Sequence, residues 1–256
     1  SPLFIFYPDR FRANIASYRQ AFEAAWPNVT IAYSTKTNYL PRVVKTAAED
    51  GVVLEAIPGF ELDVLERLGL LDAKAIINGP LKTKEELQKI VAVGARINVD
   101  NITELEVLNE VAGEAGRIVD IGLRVSGRVS DNSWLRYGFD IDSGDALMAA
   151  KKITAELKHL RLIGLHIHLG TNILDTEIYR SATEKVCSLS VEMQSRQLIE
   201  LKYLDMGGGF ATDCPFLDSD LDNWAVPSAK DYAAAICAPL WNVFGEDGPE
   251  LIIEPG

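Results

Sequence analysis

Eight short apolar runs rich in β-branched residues recur along the chain, separated by stretches of helical periodicity. The runs are "TIAYST" (30–35), "VVLEAI" (52–57), "KAIING" (74–79), "ARINVD" (95–100), "VDIGLRV" (119–125), "LIGLHIHL" (162–169), "LKYLDM" (201–206) and "ELIIEP" (250–255). Continuous apolar runs of this length suit strands buried on both faces of a parallel sheet. The segments between them carry helix punctuation. "ELDVLERLG" places Leu62, Leu65 and Leu68 on one face and stops at Gly69, a residue suited to the left-handed position after a helix. "TKEELQKIVAVG" opens on Thr83 with Glu86 three residues on, the spacing of a capping box, and closes on Gly94. Thr103 and Glu106 repeat that spacing, and longer helices are expected near 144–159, 177–197 and 228–244. Strand and helix alternating eight times without a flexible linker predicts an α/β fold, a closed (β/α)8 TIM barrel over residues 1–256.

Composition narrows the partners. A chain of 256 residues, 48% hydrophobic, can bury one large core. A net charge of −12 repels phosphate backbones and anionic lipid, so neither nucleic acid nor membrane is an expected partner. No run of 18 apolar residues offers a span. Cys187, Cys214 and Cys237 lack metal-ligand spacing, and their odd count argues against a disulfide framework. Small buried free thiols in a cytoplasmic protein are the expectation, with no metal site.

Active sites of such barrels lie at the C-terminal strand ends. Those ends carry Lys36, Glu55, Asn78, Asp100, Arg124, the pair His166 and His168, the run Gly207–Gly208–Gly209, and Glu254. Each has an ordinary structural reading. Lys36 could lay its stem on apolar surface, glycines serve many turns, and Glu254 could pair with a barrel cation. Taken together they describe other chemistry. A desolvated lysine amine attacks a carbonyl to form a Schiff base. Three glycines let backbone N–H groups approach an anion. A carboxyl at a buried strand end can hold a protonated ring nitrogen. Amine, anion cradle and ring-nitrogen acid are the parts of a pyridoxal 5'-phosphate site.

At these residues the chain resembles the fold-type III pyridoxal phosphate decarboxylases, the diaminopimelate, ornithine and arginine decarboxylase group, from about residue 2 to residue 256. "YSTKTN" is similar to the family's cofactor-binding lysine segment, "GFELDVLERLG" to its G-G-E-L segment, and "LRYGF" stands at its K-F-G motif. "GLHIHLGT" is similar to G-x-H-x-H-x-G-S, "DMGGGF" to the phosphate loop, and "EPG" to the start of E-P-G-R. The resemblance implies an alanine racemase-like barrel and α-decarboxylation of an amino acid. It implies Lys36 and His168 as catalytic groups, with His168 stacked on the ring. Thr171, Gly207, Gly208, Gly209 and Gly256 would join these two and Glu254 in binding the cofactor, and Glu55, Glu61, Arg124 and His166 are secondary candidates. Pro58 and Phe60 replace smaller residues, so Phe60 is expected to narrow the pocket rim.

The family's C-terminal β-domain, with its cysteine–aspartate pair, is absent from this chain. The resemblance therefore implies a fragment of a longer two-domain protein, homodimeric at full length and catalytically incomplete as the fragment. Two other readings remain at this level. A racemase of the same cofactor would pair the ring nitrogen with arginine, against Glu254, and a single-barrel pyridoxal phosphate carrier would be non-catalytic.

Overall fold

In the computed structural model, which describes residues 5–130, 133, 135–212 and 225–256, the apolar runs pair in parallel as a closed sheet. Its strands are β1 (Val29–Ser34), β2 (Val53–Ala56), β3 (Ile76–Ile77), β4 (Arg96–Val99), β5 (Val119–Ser126), β7 (Leu160–Ile167), β8 (Tyr203–Asp205) and β9 (Glu250–Ile253). A two-residue strand, β6 (Phe139–Asp140), adds to the end of β5. Closure comes from β4 on β5 and from β9 on β1, where Ile31 pairs with Ile253. Every expected strand is present, so the (β/α)8 barrel is the observed fold.

The helices are α1 (Pro8–Glu23), α2 (Pro41–Glu49), α3 (Phe60–Leu68), α4 (Lys84–Val93), α5 (Ile102–Glu114), α6 (Asp145–Glu156), α7 (Thr176–Ser195) and α8 (Ala229–Phe244). Gly69 and Gly94 take the left-handed conformation after α3 and α4, and Thr83 with Glu86 forms the capping box. One cap differs from expectation. Helix α5 is capped by Asn101, whose side chain accepts the Glu104 N–H, two residues before Thr103. Helix α1, which precedes the first strand, and β6 are additions to the sequence reading. Among the described residues no helix is long and apolar enough to cross a membrane.

Most of the core lies between sheet and helices, while a small cluster of Ala32, Ile76, Ile163, Tyr203 and Ile252 fills the barrel interior. The Tyr203 ring fits there because β5 and β7 carry glycines beside it. A Cβ on Gly164 would lie 2.2 Å from the ring, and one on Gly122 would lie 2.2 Å from its hydroxyl. Above this apolar plug the interior turns polar. The Tyr203 hydroxyl donates to Asn98 (2.8 Å), and the Asn98 amide donates to Asn78 (2.9 Å). Such a chain satisfies buried polar groups in series and carries the interior up to the strand ends. Cys187 and Cys237 are buried free thiols on α7 and α8, whereas Cys214 lies outside the described residues.

Candidate active site

Strand β1 ends at Ser34, and a single tight turn over Thr35–Thr37 carries Lys36. The turn is pinned from below. The Thr35 hydroxyl sits between the Glu55 carbonyl (2.9 Å) and the Glu61 carboxylate (2.6 Å), and Glu61 also accepts the Ile57 N–H (3.1 Å). The Thr37 hydroxyl donates back to the Ser34 carbonyl (2.8 Å). Asn38 then accepts the Leu40 N–H, and Pro41 opens α2. The desolvation expected of Lys36 is not supplied by the barrel. Its side chain is 38% exposed, and its nearest charged partner is the Glu55 carboxylate at 4.0 Å, because the turn lifts it clear of the β1 packing.

Beneath Lys36 lies a buried floor of polar side chains. Glu55 and Glu254 are both buried, and the Asn78 amide bridges them at 3.0 and 2.7 Å. Ser34 donates to the other Glu55 oxygen (2.5 Å). His166 pairs in register with Asp205, and Asp205 with Ile252 of the last strand. A carboxyl oxygen each of Asp205 and Glu254 and a ring nitrogen of His166 lie within 4.8 Å of one another, and the His166 Nε2 stands 3.8 Å from Glu254 Oε2. Both His166 ring nitrogens and Glu254 Oε2 are buried without a donor or acceptor partner. Burial, then the neighbouring Asp205 and Glu55 charges, pushes Glu254 well above the ordinary carboxylate value. Burial first, then the positive charges of Arg124, Lys36 and Lys82, holds His166 neutral.

The glycine run closes the far wall. Gly207 and Gly209 have positive φ (65° and 92°). A Cβ on Gly208 would lie 2.3 Å from the Glu254 carbonyl oxygen, and one on Gly209 would lie 2.3 Å from that of Gly170. The loop therefore packs directly on the ends of β7 and β9, with only backbone on that wall. The Gly208 N–H points at His168 Nδ1 (3.4 Å). Burial, helped by the Lys36 and Arg124 charges, lowers His168 to about 3, so its ring is a neutral aromatic surface.

Lys36, His168, Thr171, Gly208, Gly209, Glu254 and Gly256 line one cleft of about 600 Å³, a size suited to a small ligand. Gly207 supports its wall. Glu55 and His166 lie under the floor, and Glu61 stands behind the Lys36 turn. Arg124 is held off by Asp100 (3.4 Å) and packs over the Tyr137 ring. Phe60, expected at the pocket rim, is exposed edge-on to Tyr39 and does not line the cleft. Asp205, Asn98, Tyr203 and Lys82 carry much of this architecture and were not singled out in the sequence as site residues. Lys82 is fully buried, donating to Gly79 O (2.8 Å), Asn98 O (3.1 Å) and Glu104 (2.6 Å). Glu104 in turn accepts the Asp100 N–H (3.3 Å).

The donor set fits pyridoxal phosphate. A primary amine reaches the cleft, a side-chain-free wall can approach an anion, and an orphaned buried carboxyl oxygen can meet a ring N–H. Comparison with known proteins agrees. The family described as "Pyridoxal-dependent decarboxylase, pyridoxal binding domain" matches residues 10–256. The chain is 31% identical to diaminopimelate decarboxylase of Aquifex aeolicus and 28% identical to that of Methanocaldococcus jannaschii. It is covered completely in both, yet spans only 59% and 60% of their lengths. The solved structure of the M. jannaschii enzyme in complex with L-lysine superposes with a TM-score of 0.88 at 27% identity, over 100% of this chain and 61% of that one.

Proposed function

The chain belongs to the pyridoxal-dependent decarboxylases through their pyridoxal binding domain, and on that premise we propose that the whole protein removes the α-carboxylate of an amino acid of the diaminopimelate type. The observation that carries the proposal is Glu254, a buried carboxyl on the cleft wall with one oxygen lacking a donor. Pyridoxal phosphate supplies an electron sink for the bond that loses carbon dioxide, stronger when its ring nitrogen is protonated. A carboxyl at that position favours decarboxylation over racemisation, which would be served by an arginine.

The chain's own residues divide the work. Lys36 is the covalent anchor, and the Thr35–Glu61 contact fixes the turn that presents it. His168, neutral and half-buried, offers a flat face that excludes water from one side of the cleft. Gly208 and Gly209 admit the phosphate to backbone distance, and Thr171 adds a hydroxyl at the mouth. Glu254 holds the ring nitrogen, oriented by the Asn78 amide. The diaminopimelate-type substrate is supported by the names of the relatives. The proton donor to the product is assigned to the further length that those relatives possess, in a homodimer. A cytoplasmic location belongs to the same proposal, supported by the free buried thiols.

The test is carbon dioxide release by the full-length protein with pyridoxal phosphate, over meso-diaminopimelate, lysine, ornithine and arginine. Release from one of them, and loss of the bound cofactor's visible absorption in Lys36→Ala, are the expected results. Retained carboxylate with an inverted α-carbon would overturn decarboxylation in favour of racemisation. A visible band that survives Lys36→Ala would remove the lysine from its role.

A further inference from the structure

The floor of the cleft brings two carboxyls and an imidazole, all buried, within 4.8 Å of one another. Asp205 is held by the Gly207 N–H (3.0 Å) and the Asn98 amide (3.4 Å) within the cluster that includes Glu254. Glu254 is held by Asn78. Two buried carboxyls this close repel each other when both are ionised, so one of them retains a proton. His166, the third member, has neither nitrogen engaged and is 1% exposed. We propose that Asp205 is a positioning residue that, with neutral His166 beside it, keeps one proton on the Glu254 carboxyl ready for an aromatic ring nitrogen bound above the floor.

This rests on the pyridoxal reading of the cleft and extends it to a residue that meets the cofactor through another. When an unprotonated ring nitrogen enters, Glu254 gives its proton to the nitrogen lone pair and becomes a carboxylate hydrogen-bonded to the new N–H. No other bond changes. The surroundings favour a proton held on Glu254 rather than on Asp205. Glu254 faces Asp205 from β8, Glu55 from β2, His166 from β7 and Lys36 from the turn after β1. Asp205 also faces Arg96 from β4, whose charge favours its ionised form. Burial raises Asp205 to about 7, while the Gly207 N–H works against that rise. Arg124, Lys36 and Lys82 face His166 and oppose a charge there, with neutral His168 beside it, which spares Glu254 a second cation that would strip its proton.

The experiment is infrared difference spectroscopy of the full-length protein freed of cofactor, following the carbonyl stretch of protonated carboxyls with deuterium exchange as the marker. At pH 7 a protonated-carboxyl band is expected that Glu254→Gln removes. In Asp205→Asn, which keeps the Gly207 contact, its pH midpoint should fall by about one to two pH units, as expected when a carboxyl loses a like-charged neighbour. Adding pyridoxal phosphate to the wild type should remove the band. Absence of a Glu254-dependent band, an unmoved midpoint, or a band that persists with cofactor bound would each overturn the proposal. If Asp205→Asn loses its helical circular dichroism, the wild-type and Glu254→Gln arms decide alone. Failure of pyridoxal phosphate to bind would be seen separately as missing visible absorption, and it would sink the cofactor reading while the cofactor-free arms still report the shared proton.

Discussion

Replacing Lys82 by methionine keeps most of the side-chain volume and removes its charge. The consequence can be worked from its three contacts. Gly79 O and Asn98 O each lose their donor, and Glu104, 3% exposed, is left a carboxylate without its cation. Breaking a buried pair by removing one partner costs about 3–5 kcal/mol. An upper limit on the charge part comes from Glu104 taking a proton instead. Moving from its ordinary 4.5 to pH 7 is about 2.5 pH units, or about 3.4 kcal/mol at 1.36 kcal/mol each. With about 1 kcal/mol for the two weakened carbonyl contacts, the loss is about 4 kcal/mol, or roughly 10 °C in melting temperature for a barrel of this size. The pH dependence has a definite sign. Burial already raises Glu104 even with Lys82 present, and removing the cation raises it further. The variant's deficit is therefore greatest at neutral pH and shrinks as pH falls toward 5, where protonating Glu104 costs only about 0.7 kcal/mol. Urea unfolding of wild type and variant at pH 7 and pH 5, followed by circular dichroism and tryptophan fluorescence, measures both quantities. A loss below about 1 kcal/mol, or a deficit unchanged between the two pH values, would refute the view that Lys82 neutralises a buried charge.

Gly208→Ala places a methyl carbon 2.3 Å from the Glu254 carbonyl oxygen, so strand ends β8 and β9 must separate. Pyridoxal phosphate affinity is expected to fall at least about tenfold with circular dichroism unchanged, consistent with over-packing costs of about 1–3 kcal/mol, as read by cofactor titration. His168 is neutral down to about pH 3 in the fold but takes a proton near pH 6.5 when unfolded. Its contribution to stability is thus full above pH 6.5 and lost progressively as pH falls toward 3. His168→Gln should flatten the decline of unfolding free energy over that window, measured by urea titration at several pH values, and an unchanged slope would count against the buried neutral ring.

The strands were legible because both-face burial leaves a continuous apolar signature, and α4 because a capping box and a closing glycine bracket it. That Lys36, His168, Gly208, Gly209 and Glu254 share one cleft was legible because each follows the C-terminal end of a buried strand. The cap of α5 was misread because Thr103 and Asn101 each have a glutamate three residues on. Glu104 folds inward to Lys82, which selects Asn101 and is a tertiary fact. Lys82 itself lies in "LKTKEEL" among surface-type charges, and only the approach of β4 and α5 buries it. Asp205 was visible in "DMGGGF", but a strand of parallel type does not reveal which end residue turns inward to meet one from a strand far along the chain.

The pairing of β9 with β1 joins the two ends of the fold, with Thr30 and Glu250 in contact across 220 residues. During synthesis Lys36 emerges more than 200 residues before Glu254. Until β9 is released, β1 and β8 both present open edges, the kind of surface on which nascent chains pair wrongly. The event that seals those edges also delivers Glu254 beneath Lys36. A ribosome-bound intermediate with seven strands in place would thus have Lys36 but not Glu254 opposite it, and on the proposed reading competence to hold the cofactor arrives together with protection against aggregation.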